Sequence, residues 1–264
     1  MPHTAIQEKI FRLLRENRNP ESHIAGASAL HRDPGSPRFS GDIDLFHDEV
    51  RLVAENAQRD VETMRAAGLA VEWATRSETF HRAWVTIGDE RLKLEWVFDS
   101  AFRFFPVEPD PVLGYRLHAA DLATNKMLAA AGRRVIRDFL DVLHLHETYL
   151  SLGALAWAAT GKDPGMSPLF ILNELVRTSK YQPKDLEDVQ LARPVSLVEL
   201  KHTLLGAVRE AEDLIARLPA SEVGCLYLDG TGKVVTPVPE AAEFSGLKRH
   251  FGSLRGTWPR VVVE

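Results

Sequence analysis

The most regular hydrophobic pattern in the chain is the strict alternation of residues 91–99, RLKLEWVFD. Such alternation predicts a β-strand that is buried on one side. The predicted core face carries four apolar side chains: Leu92, Leu94, Trp96 and Phe98. The opposite face carries Lys93, Glu95, Val97 and Asp99. Glu95, at the middle of this face, is therefore either the ion-pair partner of Lys93 or an arginine, or a ligand in a functional site.

The remaining pattern predicts an α+β fold with a mixed sheet followed by a mainly helical domain. In the first part of the chain, helices are predicted at 5–17 and 50–67, and strands near 69–75 and 83–88. The proline-rich stretch 106–111 predicts a linker, so we divide the chain into domains 1–107 and 108–264. The second domain is predicted to contain helices at 119–131, 136–145, 150–159, 168–177 and 198–218, and a hairpin at 225–238.

The segment 24–46, IAGASALHRDPGSPRFSGDIDLF, carries the clearest chemical signal. Asp42 and Asp44 flank one apolar residue on an extended segment, so their carboxylates point to the same side. Two adjacent carboxylates in a water-poor cleft repel each other unless a cation lies between them, and Mg²⁺ prefers oxygen ligands. Glu95 on a neighbouring strand would complete a three-carboxylate metal site. The alternative is an ordinary pair of solvated aspartates.

A turn of small residues, Gly26, Ala27 and Ser28, precedes the two aspartates. Such a turn can present backbone N–H groups to a phosphate chain, although small polar residues also serve helix starts generally. The order of these parts indicates a metal-dependent enzyme that acts on a nucleoside triphosphate. Ser40, beside the acids, either lies near the triphosphate and metal or satisfies the backbone of its own turn.

A third segment, residues 121–145 (DLATNKMLAAAGRRVIRDFLDVLHL), predicts two helices with a break at Gly132. Arg137 and Asp141 are four residues apart, as are Arg134 and Asp138, so each pair can meet on the helix surface. These are either ordinary exposed ion pairs worth less than about 1 kcal/mol each, or groups that act with a lysine on a triphosphate or orient a substrate hydroxyl.

Together these segments resemble the AbiEii toxin family of bacterial nucleotidyltransferases, within the DNA polymerase β-like nucleotidyltransferase superfamily. The resemblance covers about residues 24–145. Its most specific parts are GASAL at 26–30 and RFSGDIDLF at 38–46, which is close to the R-x-S-x-D-I-D-L-F segment of the family. Lys126, followed by small apolar residues, arginine and R-D-x-x-D, completes the pattern. Ala27 departs from the Gly or Ser of many relatives, which moves any hydroxyl contact with phosphate to Ser28.

The resemblance implies a polymerase β-like core over residues 1–107 and a second domain that contributes Lys, Arg and Asp side chains to the cleft. Two Mg²⁺ ions, for which Mn²⁺ is a possible substitute, would be held about 3.5–4 Å apart by Asp42, Asp44 and Glu95. Lys126 and Asp141 are expected to join these three acids as catalytic residues. The expected nucleotide-binding residues are Gly26, Ala27, Ser28, Ser40, Lys126, Arg137 and Asp138.

The reaction implied by the resemblance is transfer of a nucleoside monophosphate from an NTP to an acceptor, with release of pyrophosphate. The expected acceptor is the 3′ end of tRNA, and the expected role is that of a toxin held in check by an antitoxin protein. Two alternatives stay open. The acceptor could be a small molecule or a protein, or the chain could be a catalytically silent nucleotide-binding module.

Composition narrows the class of protein further. The chain has 264 residues, 45% of them hydrophobic, which suffices for one large or two modest cores. Its single cysteine, Cys225, excludes an internal disulfide. Neither a signal peptide nor a membrane span is predicted, so we expect a cytoplasmic protein without a membrane partner. The net charge of −5 disfavours broad nucleic-acid coating, although the basic and aromatic tail at 248–260 could hold an RNA end or pack onto the core.

Overall fold

The computed structural model describes residues 3–32 and 35–259, so Arg260, at the end of the basic tail, lies outside the described residues. Two compact units are formed. The first comprises residues up to Ala101 together with Pro106–Leu122, and the second comprises Phe102–Phe105 with residues from Ala123 onward. Residues 108–122, which the sequence pattern assigned to the second domain, therefore cluster with the first unit.

All helices and strands that the sequence pattern predicts are present in the predicted order, together with further short elements. The strands are β1 (Ser22–Ala25), β2 (Asp42–His47), β3 (Ala70–Arg76), β4 (Phe80–Ile87), β5 (Glu90–Phe98), β6 (Phe102–Arg103), β7 (Glu108–Asp110), β8 (Gly114–Arg116), β9 (Cys225–Leu228), β10 (Val234–Val235), β11 (Lys248–Phe251) and β12 (Ser253–Leu254). The α-helices are α1 (Ala5–Leu14), α2 (Gly26–Leu30), α3 (Val50–Ala66), α4 (Ala119–Gly132), α5 (Ile136–Thr148), α6 (Leu152–Ala159), α7 (Pro168–Thr178) and α8 (Leu197–Arg217).

The first unit is built on a mixed sheet with the strand order β3-β4-β5-β2-β1-β8-β7. The central pair β2 and β5 is parallel, as is β1 with β8, and the other neighbours are antiparallel. The predicted α+β fold with a mixed sheet is therefore confirmed. The prediction of a linker at 106–111 is wrong, because this stretch contributes β7 at the edge of the sheet.

One face of this sheet is packed against α1 and α3. The predicted core face of β5 is confirmed for three of its four apolar residues: Leu92, Leu94 and Trp96 are buried, whereas Phe98, at the end of the strand, is exposed. Helix α1 begins with a capping box in which Thr4 and Gln7 satisfy each other's backbone N–H groups. Its predicted last turn is a short 3₁₀ helix, Arg15–Asn17.

A buried polar network lies on the same packed face. Arg18 donates from Nη2 to both carboxylate oxygens of Asp60, at 2.5 and 2.6 Å, and both side chains are fully buried. Asp60, on α3, also accepts from Trp96 Nε1 at 2.7 Å. Arg18 Nη1 donates to Ser22 Oγ, which lies 3.2 Å from Nε2 of His47. Burial is the main cause that lowers the pKa of His47, to about 3, so its imidazole is neutral.

The second unit is mainly helical, as predicted. Every residue of α6 is buried, because this helix is apolar on all sides and packs against α5, α7 and α8. Gly153 permits the close approach of α6 to α8, since a Cβ there would lie 2.9 Å from Ala211 Cα. The predicted hairpin forms from β9 and β10, and β11 pairs with β9 on its other side. No helix among the described residues is long and apolar enough to span a membrane.

Candidate active site

The two aspartates of the D-x-D motif lie on β2, at the centre of the sheet. Ile43 between them is fully buried on the packed face, so Asp42 and Asp44 share the opposite face. The parallel register of β2 and β5 places Asp42 beside Lys93 and Asp44 beside Glu95. The strand that carries Glu95 therefore lies beside the aspartate strand, and Glu95 is on the face that carries the two aspartates.

Gly26 lies directly against Asp44. Its backbone φ is +62°, and a Cβ at this position would lie 2.0 Å from Oδ2 of Asp44. Glycine is required here for two reasons, because other residues rarely adopt this φ and because any side chain would displace the carboxylate. Gly26 and the D-x-D motif, separated by 15 residues in the sequence, thus form one compact arrangement.

The backbone in front of the acids is fixed by a side chain that the sequence pattern did not single out. Gln7 on α1 is fully buried, and its amide donates to the carbonyl oxygens of Ser40 at 3.0 Å and Asp42 at 3.2 Å. Ser40 Oγ donates to the carbonyl of Asp42 at 2.9 Å and lies 3.3 Å from its Oδ1. Ser40 therefore satisfies the backbone of its own turn and also contacts the first aspartate.

Glu95 has cationic partners on its own face of the sheet. Lys93 Nζ lies 3.1 Å from Asp42 Oδ2 and 3.0 Å from Glu95 Oε1, so it bridges the two acids. Arg82 on β4, which is in register with Glu95, contacts the same Oε1 at 2.7 Å. Burial disfavours the charged form of Lys93, but the contacts with Glu95 and Asp42 outweigh burial and raise its pKa above the ordinary value. The ion-pair alternative for Glu95 thus describes its contacts in this structure.

The fit to a divalent metal differs between the acids. Asp42 and Asp44 present oxygen ligands on one face of one strand, which suits a hard cation. Glu95 is engaged by Lys93 and Arg82 instead. Across residues 3–32 and 35–259, no group of three or more His, Cys, Asp or Glu side chains is arranged to hold a metal ion. Asp42 and Asp44 therefore supply the oxygen donors that a metal needs, with Lys93 also in contact with Asp42, whereas Glu95 would have to exchange both Lys93 and Arg82 for the metal.

The residues after Gly26 form the short helix α2. Ser28 is fully buried, and its hydroxyl donates to the carbonyl of Ala25 at 3.3 Å. A phosphate contact by this hydroxyl would require that bond to break. The N–H groups of Gly26, Ala27 and Ser28 belong to the first turn, where α-helices leave backbone donors without intrahelical partners.

In the second unit, Lys126 on α4 meets two aspartates of α5. Its Nζ lies 3.1 Å from Asp138 Oδ1 and 2.9 Å from Asp141 Oδ2, and both carboxylates are almost completely buried. Arg133 contacts the other oxygen of Asp138 at 2.7 Å. Lys126, Asp138 and Asp141, three of the residues predicted from the third motif, are therefore brought together in one cluster.

The arginines of the third motif have different partners and positions. Arg134 donates to the carbonyl of Lys180 and to Asp185, both at 2.8 Å, and its guanidinium lies over the ring of Tyr181. The predicted pairing of Arg134 with Asp138 is therefore wrong: Arg133 takes that partner, because the chain breaks at Gly132 and α5 begins only at Ile136. Arg137 lies on α5 and is half-buried.

The basic tail is partly packed. His250 is buried, with Nε2 2.8 Å from the carbonyl of Phe104, and Trp258 lies beside Phe105 at a ring distance of 5.8 Å. Phe251 and Trp258 nevertheless remain about half exposed. The packing alternative therefore holds for His250, and the binding of an RNA end by this segment stays a prediction.

Sequence comparison decides the family. The family profile described as "Nucleotidyl transferase AbiEii toxin, Type IV TA system" matches residues 11–204, which is more than half of the chain. The chain belongs to the AbiEii nucleotidyltransferase toxin family. The reaction class of this family member is nucleotidyl transfer, as the resemblance of its motifs predicted. No curated protein sequence matches it.

Solved structures share the fold of this AbiEii family member. MenT4, a nucleotidyltransferase toxin from Mycobacterium tuberculosis H37Rv, is similar with a TM-score of 0.55 and 15% identity, covering 82% of this chain and 83% of that one. JHP933 from Helicobacter pylori is similar with a TM-score of 0.50 and 18% identity, covering 80% of this chain and 92% of that one. At these identities the similarity concerns the fold, and it confirms the predicted nucleotidyltransferase core.

Three side chains of the AbiEii chain support the acids: Lys93, Arg82 and Gln7. Lys93 was visible, because the alternation of β5 already places it on the face of Glu95. Arg82 and Gln7 could not be linked to the acids from sequence, because their positions depend on strand pairing and helix packing between distant segments. The sequence signal for this contact is Lys93 itself, a cation two residues before Glu95 on a strand with one polar face.

Proposed function

We propose that this protein transfers a nucleoside monophosphate from an NTP to the 3′ end of tRNA, with Asp42 and Asp44 as the metal-binding pair. The observation that carries the proposal is the placement of both carboxylates on one face of β2, with Gly26 directly against Asp44. Membership of the AbiEii family supports the reaction class. The choice of tRNA rests on the motif resemblance.

The metal of this proposal is Mg²⁺, with Mn²⁺ as the possible substitute. When bound, such an ion neutralises charge on the triphosphate and increases the acidity of an acceptor hydroxyl. The contribution of the chain is to hold Asp42 and Asp44 in a fixed orientation, through the contacts of Gln7 and Ser40. Glu95 is the third ligand expected from the motif, and it can take that role only when Lys93 and Arg82 release it.

Lys126 supplies the second component of the proposal, a cation for the triphosphate in the transition state. Its ammonium group is oriented by Asp138 and Asp141, so little side-chain freedom is left to lose when a ligand binds. We assign Asp141 and Asp138 the task of holding Lys126, and Arg137 that of an additional cation. The backbone N–H groups of Gly26, Ala27 and Ser28 are the proposed donors to the phosphates, near Ser40.

The biological role proposed for the protein follows from its family. The family description names a toxin of a type IV toxin–antitoxin system. We therefore propose that the protein arrests growth by modifying tRNA and that a cognate antitoxin protein prevents this effect. Because NTPs and tRNA are the substrates, the proposal places the reaction in the cytoplasm.

The proposal is tested by incubating the purified protein with Mg²⁺, each α-labelled NTP in turn, and total bacterial tRNA. Asp42→Asn is the control variant, because it removes one ligand charge while keeping the size of the side chain. Label on tRNA with the wild type, and none with the variant, is the expected result. It would identify the preferred nucleotide in the same experiment.

Two other outcomes would redirect the proposal. Saturable binding of Mg²⁺ and NTP without label on RNA would exclude tRNA and point to a protein or small-molecule acceptor. Absence of NTP binding would favour a catalytically silent module. Equal labelling by Asp42→Asn and the wild type would contradict the assignment of the metal-binding pair.

A further inference from the structure

The ammonium group of Lys93 lies where a second metal ion would be expected to contact the acids. It is 3.1 Å from Asp42 Oδ2 and 3.0 Å from Glu95 Oε1, so one cation already joins the first aspartate to the glutamate. A divalent ion bridging the same two oxygens would meet the positive charge of Lys93 at close range. Lys93 and a metal ion therefore compete for these two oxygens.

Lys93 is held in this place from two sides. Register pairing puts it beside Asp42, and Glu95, two residues further along the same strand, binds its Nζ. Glu95 is in turn held by Arg82 of the next strand, at 2.7 Å. The side chains of Lys93 and Glu95 are 22% and 13% exposed, so this ion pair is shielded from solvent more than an ordinary surface pair.

We propose that Lys93 replaces one of the two metal ions, so that Asp42 and Asp44 hold a single divalent ion while Glu95 is a positioning residue for Lys93 rather than a metal ligand. The ammonium then provides a permanent positive charge beside Asp42. This inference rests on the proposed metal-dependent function, and it changes the number of ions and the role of Glu95.

The test measures Mn²⁺ binding to the full-length protein by electron paramagnetic resonance of the free ion, without nucleotide. The wild type should bind one ion per chain at this site, and Asp44→Asn should lose it. Glu95→Gln should still bind one ion with an affinity changed less than about threefold, since no ligand is removed. Lys93→Met should bind Mn²⁺ at least about tenfold more tightly, or bind a second ion, because the competing charge is gone.

Two controls separate this role from a structural one. Lys93→Arg retains the positive charge and should bind one ion as the wild type does. Arg91→Met removes a cation from the same strand whose partner is the exposed Glu72, at 3.1 Å, and should leave Mn²⁺ binding unchanged. Thermal unfolding of each variant shows whether the protein is folded under the conditions of the titration.

The outcomes distinguish this inference from the proposed function. If Glu95→Gln weakens Mn²⁺ binding as strongly as Asp44→Asn does, Glu95 is a ligand and the inference is overturned, while the metal-dependent function stands. Unchanged binding by Lys93→Met would overturn it in the same way. If the wild type and Asp44→Asn bind Mn²⁺ equally, the metal-binding pair is wrong and both proposals fail.

Discussion

Neighbouring residues of β5 lead to two charged networks that differ in their access to solvent. Trp96 points to the packed face, where it donates to Asp60, and Asp60 pairs with Arg18 in complete burial. Glu95 points to the other face, where it contacts Lys93 and Arg82, and the Arg82 side chain is 38% exposed. The same strand therefore supports a closed network on one side and an accessible one on the other.

The difference shows what each network can do. In the closed network the guanidinium of Arg18 meets both oxygens of Asp60, and a ligand cannot enter without unfolding the surroundings. Its effect is therefore confined to stability. In the accessible network a cation can be exchanged for a metal ion or a phosphate can approach, so its charges are available for chemistry. Substitutions in the closed network should therefore change the free energy of unfolding, whereas substitutions in the accessible network should change nucleotidyl transfer.

The largest effect is expected for Asp60→Leu, in the closed network. The variant leaves Arg18 buried without a countercharge, which should lower the free energy of unfolding by about 3–5 kcal/mol. Denaturant unfolding measures this loss. The double variant Arg18→Met/Asp60→Leu should recover most of it, because no unpaired charge remains. Equal stability of the single and double variants would contradict the interpretation.

Asp44→Asn, on the accessible face, should act on activity instead. We expect nucleotidyl transfer to fall by at least about 100-fold, because a charged ligand of the metal is removed. Thermal unfolding should be little lowered, since Asp44 is only partly buried. Full activity of the variant, or wild-type transfer that is unaffected by EDTA, would refute the metal assignment and remove the contrast between the two faces.

A smaller effect is expected from His47, which extends the closed network through Ser22. Its pKa of about 3 in the folded protein lies below the value of about 6.5 in an unfolded chain. The unfolded state therefore binds a proton first as the pH falls, and stability is lost from about pH 6.5 downward. At pH 5 the loss attributable to His47 should be about 2 kcal/mol.

Denaturant unfolding at pH 7.5 and pH 5 checks this value by comparison with His47→Gln, which cannot take up the proton. The variant should lose about 2 kcal/mol less than the wild type between the two pH values. His202→Gln, at an exposed position on α8, is the matched control and should show the wild-type dependence. An unchanged dependence in His47→Gln would show that other groups dominate acid destabilisation.

Local periodicity explains which parts of the fold could be predicted. The predicted helix at 50–67 corresponds to α3, Val50–Ala66, and the one at 198–218 to α8, Leu197–Arg217. Both have a clear apolar stripe, which depends only on residues three and four apart. The prediction of a linker at 106–111 rests on the prolines of this stretch. Prolines are also compatible with an edge strand, and Pro109 lies in one.

The candidate site likewise has features that local sequence predicts and features that it does not. The shared face of Asp42 and Asp44 follows from the two-residue period of a strand and could be predicted. That Glu95 would lie beside Asp44 required the pairing of β2 with β5, which the family resemblance suggested and local sequence did not. The partners of Glu95 and the position of Arg133 against Asp138 depend on exact register and on where α5 begins. Ion-pair choice among several nearby arginines is not encoded in spacing alone.

The two hydrogen bonds from the Gln7 amide have a practical consequence for shortened versions of the protein. Gln7 holds the backbone at Ser40 and Asp42, yet it lies before residue 11, where the match to the AbiEii family profile begins. A truncation cut at the family boundary would keep every motif residue and remove this anchor. Such a fragment would lose the support for its first aspartate, and an affinity tag that disturbs α1 would act in the same way.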